Sequence, residues 1–158
     1  MPHWWMVVRY AWAAPTTVFG LFVVLAGLRG ARVRVVDGVL EAHGPALARM
    51  LARLTLVPGR AAAMTLGHVV IARDRRSLER TRTHERVHVR QCEVWGPLFV
   101  PAYLAASLAA LLRGRHVYFD NWFERAAFQA APPGASGRSV PSGRGSGAAS
   151  AACSAPAR

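Results

Sequence analysis

Lysine is absent from this chain of 158 residues, and all 20 of its basic residues are arginine. Acidic residues are scarce as well, 8 in all, so the formal net charge is +12. Cysteine occurs twice, at Cys92 and Cys153, which excludes a disulfide framework and leaves two thiols expected to be reduced, as in a cytosolic compartment. Charged residues are only 18% of the chain against 53% hydrophobic, a balance that disfavours a freely soluble domain and leans toward a membrane. Arginine without lysine, beside abundant alanine and glycine, also reflects coding bias, which weakens the charge as a pointer to partners. The arginines are spread from Arg9 to Arg158 with no aromatic-interleaved basic strand among them, so a specific nucleic-acid partner is not expected. A lipid bilayer is the better match for this composition. No internal repeat is visible.

What is present begins with a greasy N-terminus. From Tyr10 to Leu28 there are nineteen uncharged residues, about 28 Å as a helix and close to the hydrocarbon thickness of a bilayer. Trp4, Trp5, Tyr10 and Trp12 crowd one end, where an aromatic belt would sit, and Pro15 is a potential kink. Residues 1–30 therefore read as a retained transmembrane anchor. Arg29, Arg32 and Arg34 follow it against Arg9 alone before it, which places the following domain on the cytoplasmic face of the membrane.

Residues 31–130 read as one α+β domain. Asp37-Gly38 between β-branched runs predicts a hairpin over 32–43. A short helix is expected over 46–56, ended by Val57-Pro58-Gly59, and the run from Met64 to Arg73 reads as one buried strand. Asp74 supplies an N-cap for a helix that Gly96-Pro97 stops after Trp95. Leu98–Leu112 is a second apolar segment of fifteen residues, about 22 Å, short of a comfortable span. Asp120 or Asn121 caps a last helix. Residues 131–158 form a Pro/Gly/Ser/Ala-rich tail expected to be disordered.

The chemistry lies in His84-Glu85-Arg86-Val87-His88, on the capped helix. Positions i and i+4 share a helix face, so His84 and His88 present two imidazoles to one Zn²⁺ at about 2.0–2.1 Å. Glu85, beside the first ligand, is placed as general base for a water on the metal. The competing reading is a charged helix with solvated histidines. Catalytic zinc takes three protein ligands, so a third is required. By residue type the candidates are Glu124, His116, Asp120, His68, His43 and Cys92. His68 is more often a satisfied core or edge residue, though from a strand facing the cleft it would stabilise an oxyanion; Cys92 reads as a small buried side chain. Tyr103 and Tyr118 suit oxyanion stabilisation by residue type alone.

At Asn121-x-x-Glu124-x-x-Ala127 the chain resembles the gluzincin type of zinc metallopeptidase. In that group His-Glu-x-x-His supplies two ligands and the base, and a downstream helix, often with N/D-x-x-E-x-x-A, supplies the third. The resemblance covers residues 64–128, and Val89-x-Gln91 is similar to small bacterial membrane-anchored proteins of this type. It implies a zincin-like fold, Glu124 as third zinc ligand and a peptide or protein substrate. Two departures stand out: Arg86 is a charge inside the motif, and no Asp follows Ala127. The expected function is that of a membrane-anchored zinc peptidase; the alternative is a membrane-tethered structural or interaction protein with a structural or vestigial metal site. A topological condition follows. If Leu98–Leu112 crossed a bilayer, Glu124 would lie tens of ångströms from His84 and His88, so the segment is expected to return to its own side.

Overall fold

The computed structural model describes residues 4–55 and 61–130. The expected α+β architecture is what it shows. Helix α1 (Trp4–Ala26) is followed by strands β1 (Arg32–Val36) and β2 (Val39–His43), helix α2 (Pro45–Leu54), strands β3 (Ala63–Leu66) and β4 (Val69–Ala72), and helix α3 (Arg75–Trp95). A short 3-10 turn at Gly96–Leu98 leads into α4 (Phe99–Leu112), and α5 (Trp122–Ala130) ends the described chain. The anticipated stop of the 46–56 helix at Val57-Pro58-Gly59 and the anticipated tail at 131–158 lie outside the described residues.

The four strands form one mixed sheet in the order β1-β2-β4-β3. β1/β2 and β3/β4 are antiparallel, while β2 and β4 run parallel across the α2 connection. One reading is corrected here. The run from Met64 to Arg73 is not a single strand but a hairpin that turns at Gly67-His68. Gly67 has φ +62° and His68 does not share a positive φ, so this is a type II′ turn with glycine at its first central position. Asp37 and Gly38 both have positive φ, the type I′ turn their sequence predicts.

Strand alternation sorts the core into two layers. Val69, Ile71, Leu66 and Ala42 face α1 and α2, meeting Val23, Val24 and Leu47. Val70, Ala72 and Val39 face α3, meeting Leu78 and Val89. β4 is therefore apolar at every position and buried throughout, as an interior strand covered on both faces must be. Each fully buried Leu or Ile of this core contributes roughly 1.5–3 kcal/mol of burial free energy.

α3 starts where Asp74 Oδ1 accepts the Ser77 backbone N–H at 2.8 Å. It ends at Gly96, whose φ of +54° turns the chain out of the helix. Trp12 of α1 donates its indole N–H to the carbonyl of Val94 at 3.1 Å, satisfying one of the last acceptors of α3. After that turn α4 begins with the rings of Phe99 and Tyr103 within 6.3 and 6.5 Å of that of His88. α1 runs through Pro15 without interruption and is long and apolar enough to cross a membrane.

Candidate metal centre

Three elements meet below the turn at residues 96–98. α3 supplies His84, Glu85 and His88, all buried. α4 supplies Tyr103, and α5 supplies Glu124, placed by its own cap. Asn121 is fully buried; its Oδ1 accepts the Phe123 N–H at 2.9 Å, and its Nδ2 donates to Tyr103 O at 3.0 Å and Ser107 Oγ at 2.7 Å. Asn121, rather than Asp120, is thus the N-cap, and the same side chain locks α5 against α4.

His84 Nε2 lies 3.1 Å from His88 Nε2 and 3.1 Å from Glu124 Oε2, and His88 Nε2 lies 3.4 Å from Glu124 Oε1. Two imidazole nitrogens and a carboxylate thus converge as a group able to hold a metal ion, and the metal is not identified by them. A tetrahedral ion with bonds of 2.0–2.1 Å separates its ligands by about 3.3 Å; the contacts here run through both Glu124 oxygens, with one ligand atom per residue all within 4.8 Å of one another, which is close to that spacing. All three residues also line a cavity of about 610 Å³.

The surroundings orient the ligands. His88 Nδ1 meets Gln91 Oε1 at 2.8 Å, and since an amide oxygen only accepts, the neutral ring carries its proton there and leaves Nε2 with a free lone pair. Gln91 Nε2 in turn donates to Phe123 O at 3.1 Å. Tyr103 donates its hydroxyl to Glu124 Oε1 at 2.7 Å. Thr65, on β3, donates to Glu85 Oε2 at 2.7 Å, fixing the carboxylate in the wall of the same cavity. His84 Nδ1 is the one buried side-chain polar atom among the described residues without a hydrogen-bond partner.

Burial acts to raise the Glu124 pKa, but hydrogen bonds and charge from His84 and His88 win and hold it at about 2. Burial acts to lower that of His88, and the carboxylates of Glu124 and Glu85 with Gln91 reverse this, lifting it to about 9. The metal-free centre is accordingly an ion pair, with a proton occupying the place a cation would take.

The other candidates are elsewhere. His68 is not in the cavity wall. Its backbone N–H donates to Thr17 Oγ1 at 3.1 Å, its Nε2 meets Glu93 at 3.3 Å, and its ring stacks on Tyr10 at 4.0 Å. The oxyanion role considered for it is overturned by the Gly67-His68 turn, which carries the ring toward α1. Cys92 is fully buried with Phe99 and Phe123, where burial pushes its thiol up to about 12. His116 lines the cavity mouth, with Nδ1 accepting the Tyr118 and Phe119 N–H groups at 3.2 and 3.3 Å. Asp120 accepts from His116 N at 2.9 Å and is exposed, and His43 lies in β2. None of these joins the three-residue group.

Two contributors have no signature in the sequence motif. Thr65 was discoverable only from strand alternation, which turns 63 and 65 toward α3. Gln91 stands three residues after His88, on the same helix face, and that spacing was the available signal. Arg86, the charge inside the motif, faces away from the metal group: it donates to Val36 O at 2.6 Å and Asp37 O at 3.4 Å, clamping the β1–β2 turn. No family model matches this chain, and comparison with curated proteins and with solved structures gives no match either, so the gluzincin resemblance stands on the motif and on this geometry alone.

Proposed function

We propose that this protein is a membrane-anchored zinc peptidase with His84, His88 and Glu124 as ligands and Glu85 as general base. The observation that carries the reading is the convergence of three ligand atoms, drawn from two distant helices, at the wall of a cavity that Glu85 also lines. Zinc held there supplies Lewis acidity toward a water and a substrate carbonyl. Glu85, held by Thr65, accepts the proton of the attacking water and returns it to the leaving amine. Tyr103 keeps the Glu124 carboxylate in place, and Gln91 keeps the His88 lone pair directed inward.

The substrate backbone binds along β3. That strand pairs only with β4 among the described residues, and β4 is interior, so β3 is the edge of this hairpin. In the antiparallel ladder of this two-residue hairpin, Leu66 and Met64 exchange hydrogen bonds with β4, and Ala62 O accepts from Arg73 N at 3.1 Å. The amides of Ala63 and Thr65 are then directed to the open side, available to an extended peptide. α1 anchors the domain through its outward residues Val18, Phe22 and Leu25, while its other face packs on the sheet. The domain thus lies against the membrane from its cytoplasmic side, and α4 stays on that side instead of crossing, since Glu124 is in contact with the α3 histidines.

The test is metal analysis with peptide hydrolysis on the purified full chain and on Glu85→Gln. Near one equivalent of zinc in both, with hydrolysis reduced by about 10²–10⁴-fold in the variant, supports the reading. Zinc without hydrolysis in either overturns the peptidase and leaves a structural metal site; no zinc in the parent overturns both.

A further inference from the structure

The cavity wall is composed unequally. His84, Glu85, His88 and Glu124 in it come from α3 and α5, whereas α1 contributes Pro15, Thr16 and Phe19 and α4 contributes Val100 and Leu104 beside Tyr103. Phe19, Val100 and Leu104 are 54%, 39% and 47% exposed, so the residues lining the cavity also continue onto the outer surface. From there the apolar surface runs along α1 through Val18, Phe22 and Leu25 and along α4 through Leu108, Leu111 and Leu112, all exposed. α1 packs on the 96–98 turn, on α3, β3 and β4, and α4 packs on that turn, on α3 and on α5, with no substantial packing between α1 and α4. Large apolar side chains left exposed in this number along two neighbouring elements suit hydrocarbon better than water.

We infer that the substrate is a peptide segment embedded in the bilayer, which reaches the metal group sideways through the opening between α1 and α4. This rests on the hydrolase reading for its chemistry but not for its binding. Hydrocarbon-facing walls favour an occupant already in the membrane over a soluble peptide, because the latter must be stripped of water to pass them. A peptide is favoured over a lipid acyl chain because the cavity wall includes β3, whose register turns the amides of Ala63 and Thr65 away from β4. An acyl chain leaves those unsatisfied, while an unwound peptide pairs with them. The same pairing removes the chief obstacle to unwinding a helix at membrane depth, since extended backbone is tolerated there only where protein or a polar cavity satisfies it. The cavity volume is within the range of binding pockets and is sufficient for a short extended stretch.

The experiment uses the full chain carrying Glu85→Gln, zinc-loaded and reconstituted into phosphatidylcholine vesicles. A benzophenone amino acid replaces Phe19 or Leu104 at the opening, or Val35 on β1 as a control exposed away from it. Two probes are compared: a twenty-residue Leu/Ala peptide with a Gly-Ser centre spanning the same vesicles, and a soluble peptide with that centre between charged flanks. Illumination is expected to give on the order of tenfold or more adduct with the embedded peptide at positions 19 and 104, because confinement to the bilayer raises its effective concentration there. Little adduct is expected at position 35. Equal labelling by the soluble peptide, adducts to lipid alone, or equal labelling at position 35 would overturn the inference. With Glu85 restored, crosslinking of the embedded peptide without cleavage upholds lateral access and sinks the hydrolase. Cleavage of both peptides at one rate, without preference at the opening, does the reverse.

Discussion

Gln91 is the most informative residue to change, because it stands outside the group of His84, His88 and Glu124 and yet holds the ring of His88. Its Oε1 lies 2.8 Å from His88 Nδ1, and its Nε2 donates 3.1 Å to the carbonyl of Phe123. In Gln91→Leu the acceptor is gone, so the ring loses about 0.5–1.5 kcal/mol of hydrogen bonding and no longer prefers the tautomer with a free Nε2 lone pair. Loss of such an outer partner lowers metal affinity by about 10–100-fold, or about 1.4–2.8 kcal/mol. Gln91→Glu keeps an acceptor at the same reach but removes the donor to Phe123. If the tautomer is what matters, it recovers most of the affinity. Zinc dissociation constants from competition with a chelator of known affinity measure both, with circular dichroism melts to confirm folding. A folded Gln91→Leu with the parent's affinity would refute the argument. Equal losses in both variants would refute it too, by showing that the bond to Phe123 is the operative one.

Three further outcomes follow from the same coordinates. Because the Glu124 carboxylate overcomes burial and lifts His88 to about 9, zinc must displace a proton at neutral pH. Affinity should rise nearly tenfold per pH unit up to about 9, with about one proton released per zinc in a weakly buffered indicator assay; binding without proton release at pH 7 would contradict this. Burial opposes ionisation of Glu41, but Arg82 and Arg34 outweigh it and hold its pKa below the ordinary 4.5. Its stabilisation is therefore present above that value and lost as pH falls through the depressed one, and Glu41→Gln should cost roughly 1–3 kcal/mol at pH 7 while flattening the acid limb of Tm against pH. Gly67→Ala puts a side chain at φ +62° and against the backbone N of Thr17, 2.5 Å from its Cβ, so chemical denaturation should show a loss of roughly 2 kcal/mol or more; an unchanged midpoint would mean that the turn yields.

The local signals in the sequence were legible where chemistry leaves few alternatives. Asp37-Gly38 demanded its turn, Asp74 its cap, Gly96-Pro97 the helix stop, and the i, i+4 histidines one face. The 64–73 run misled because every residue but Gly67 and His68 suits a strand, and apolarity on both faces hides a reversal that alternation would otherwise reveal. The reversal rests on Gly67, whose positive φ opens the turn, and Thr17 of α1 holds it by accepting the His68 N–H. Glu124 came within reach of reasoning through the helix cap at Asn121 and a resemblance, not through spacing, since 36 residues separate it from His88. Thr65 and Gln91 hold polar atoms against the metal group, and neither residue type announces such a role outside its surroundings.

The helix that carries the motif must also be set at the correct roll, and the charge at Arg86 belongs to that setting. Successive residues of a helix advance by about 100°. Leu78, Glu85 and Val89 fall on one stripe, and they meet the sheet. Arg82 and Arg86 lie to one side of it, toward β1 and β2, where Arg82 grips Glu41 at 2.9 and 3.1 Å and Arg86 grips the turn. His84 and His88 lie to the other side, past β3 at the far edge of the sheet, where α4 and α5 close the cavity. A slip of one residue would swing both rings about 100° away from Glu124. The arginine clamp on one flank and the Thr65–Glu85 bond under the helix oppose that slip from two directions, so the charge inside the motif is what a metal group at the margin of a small sheet requires.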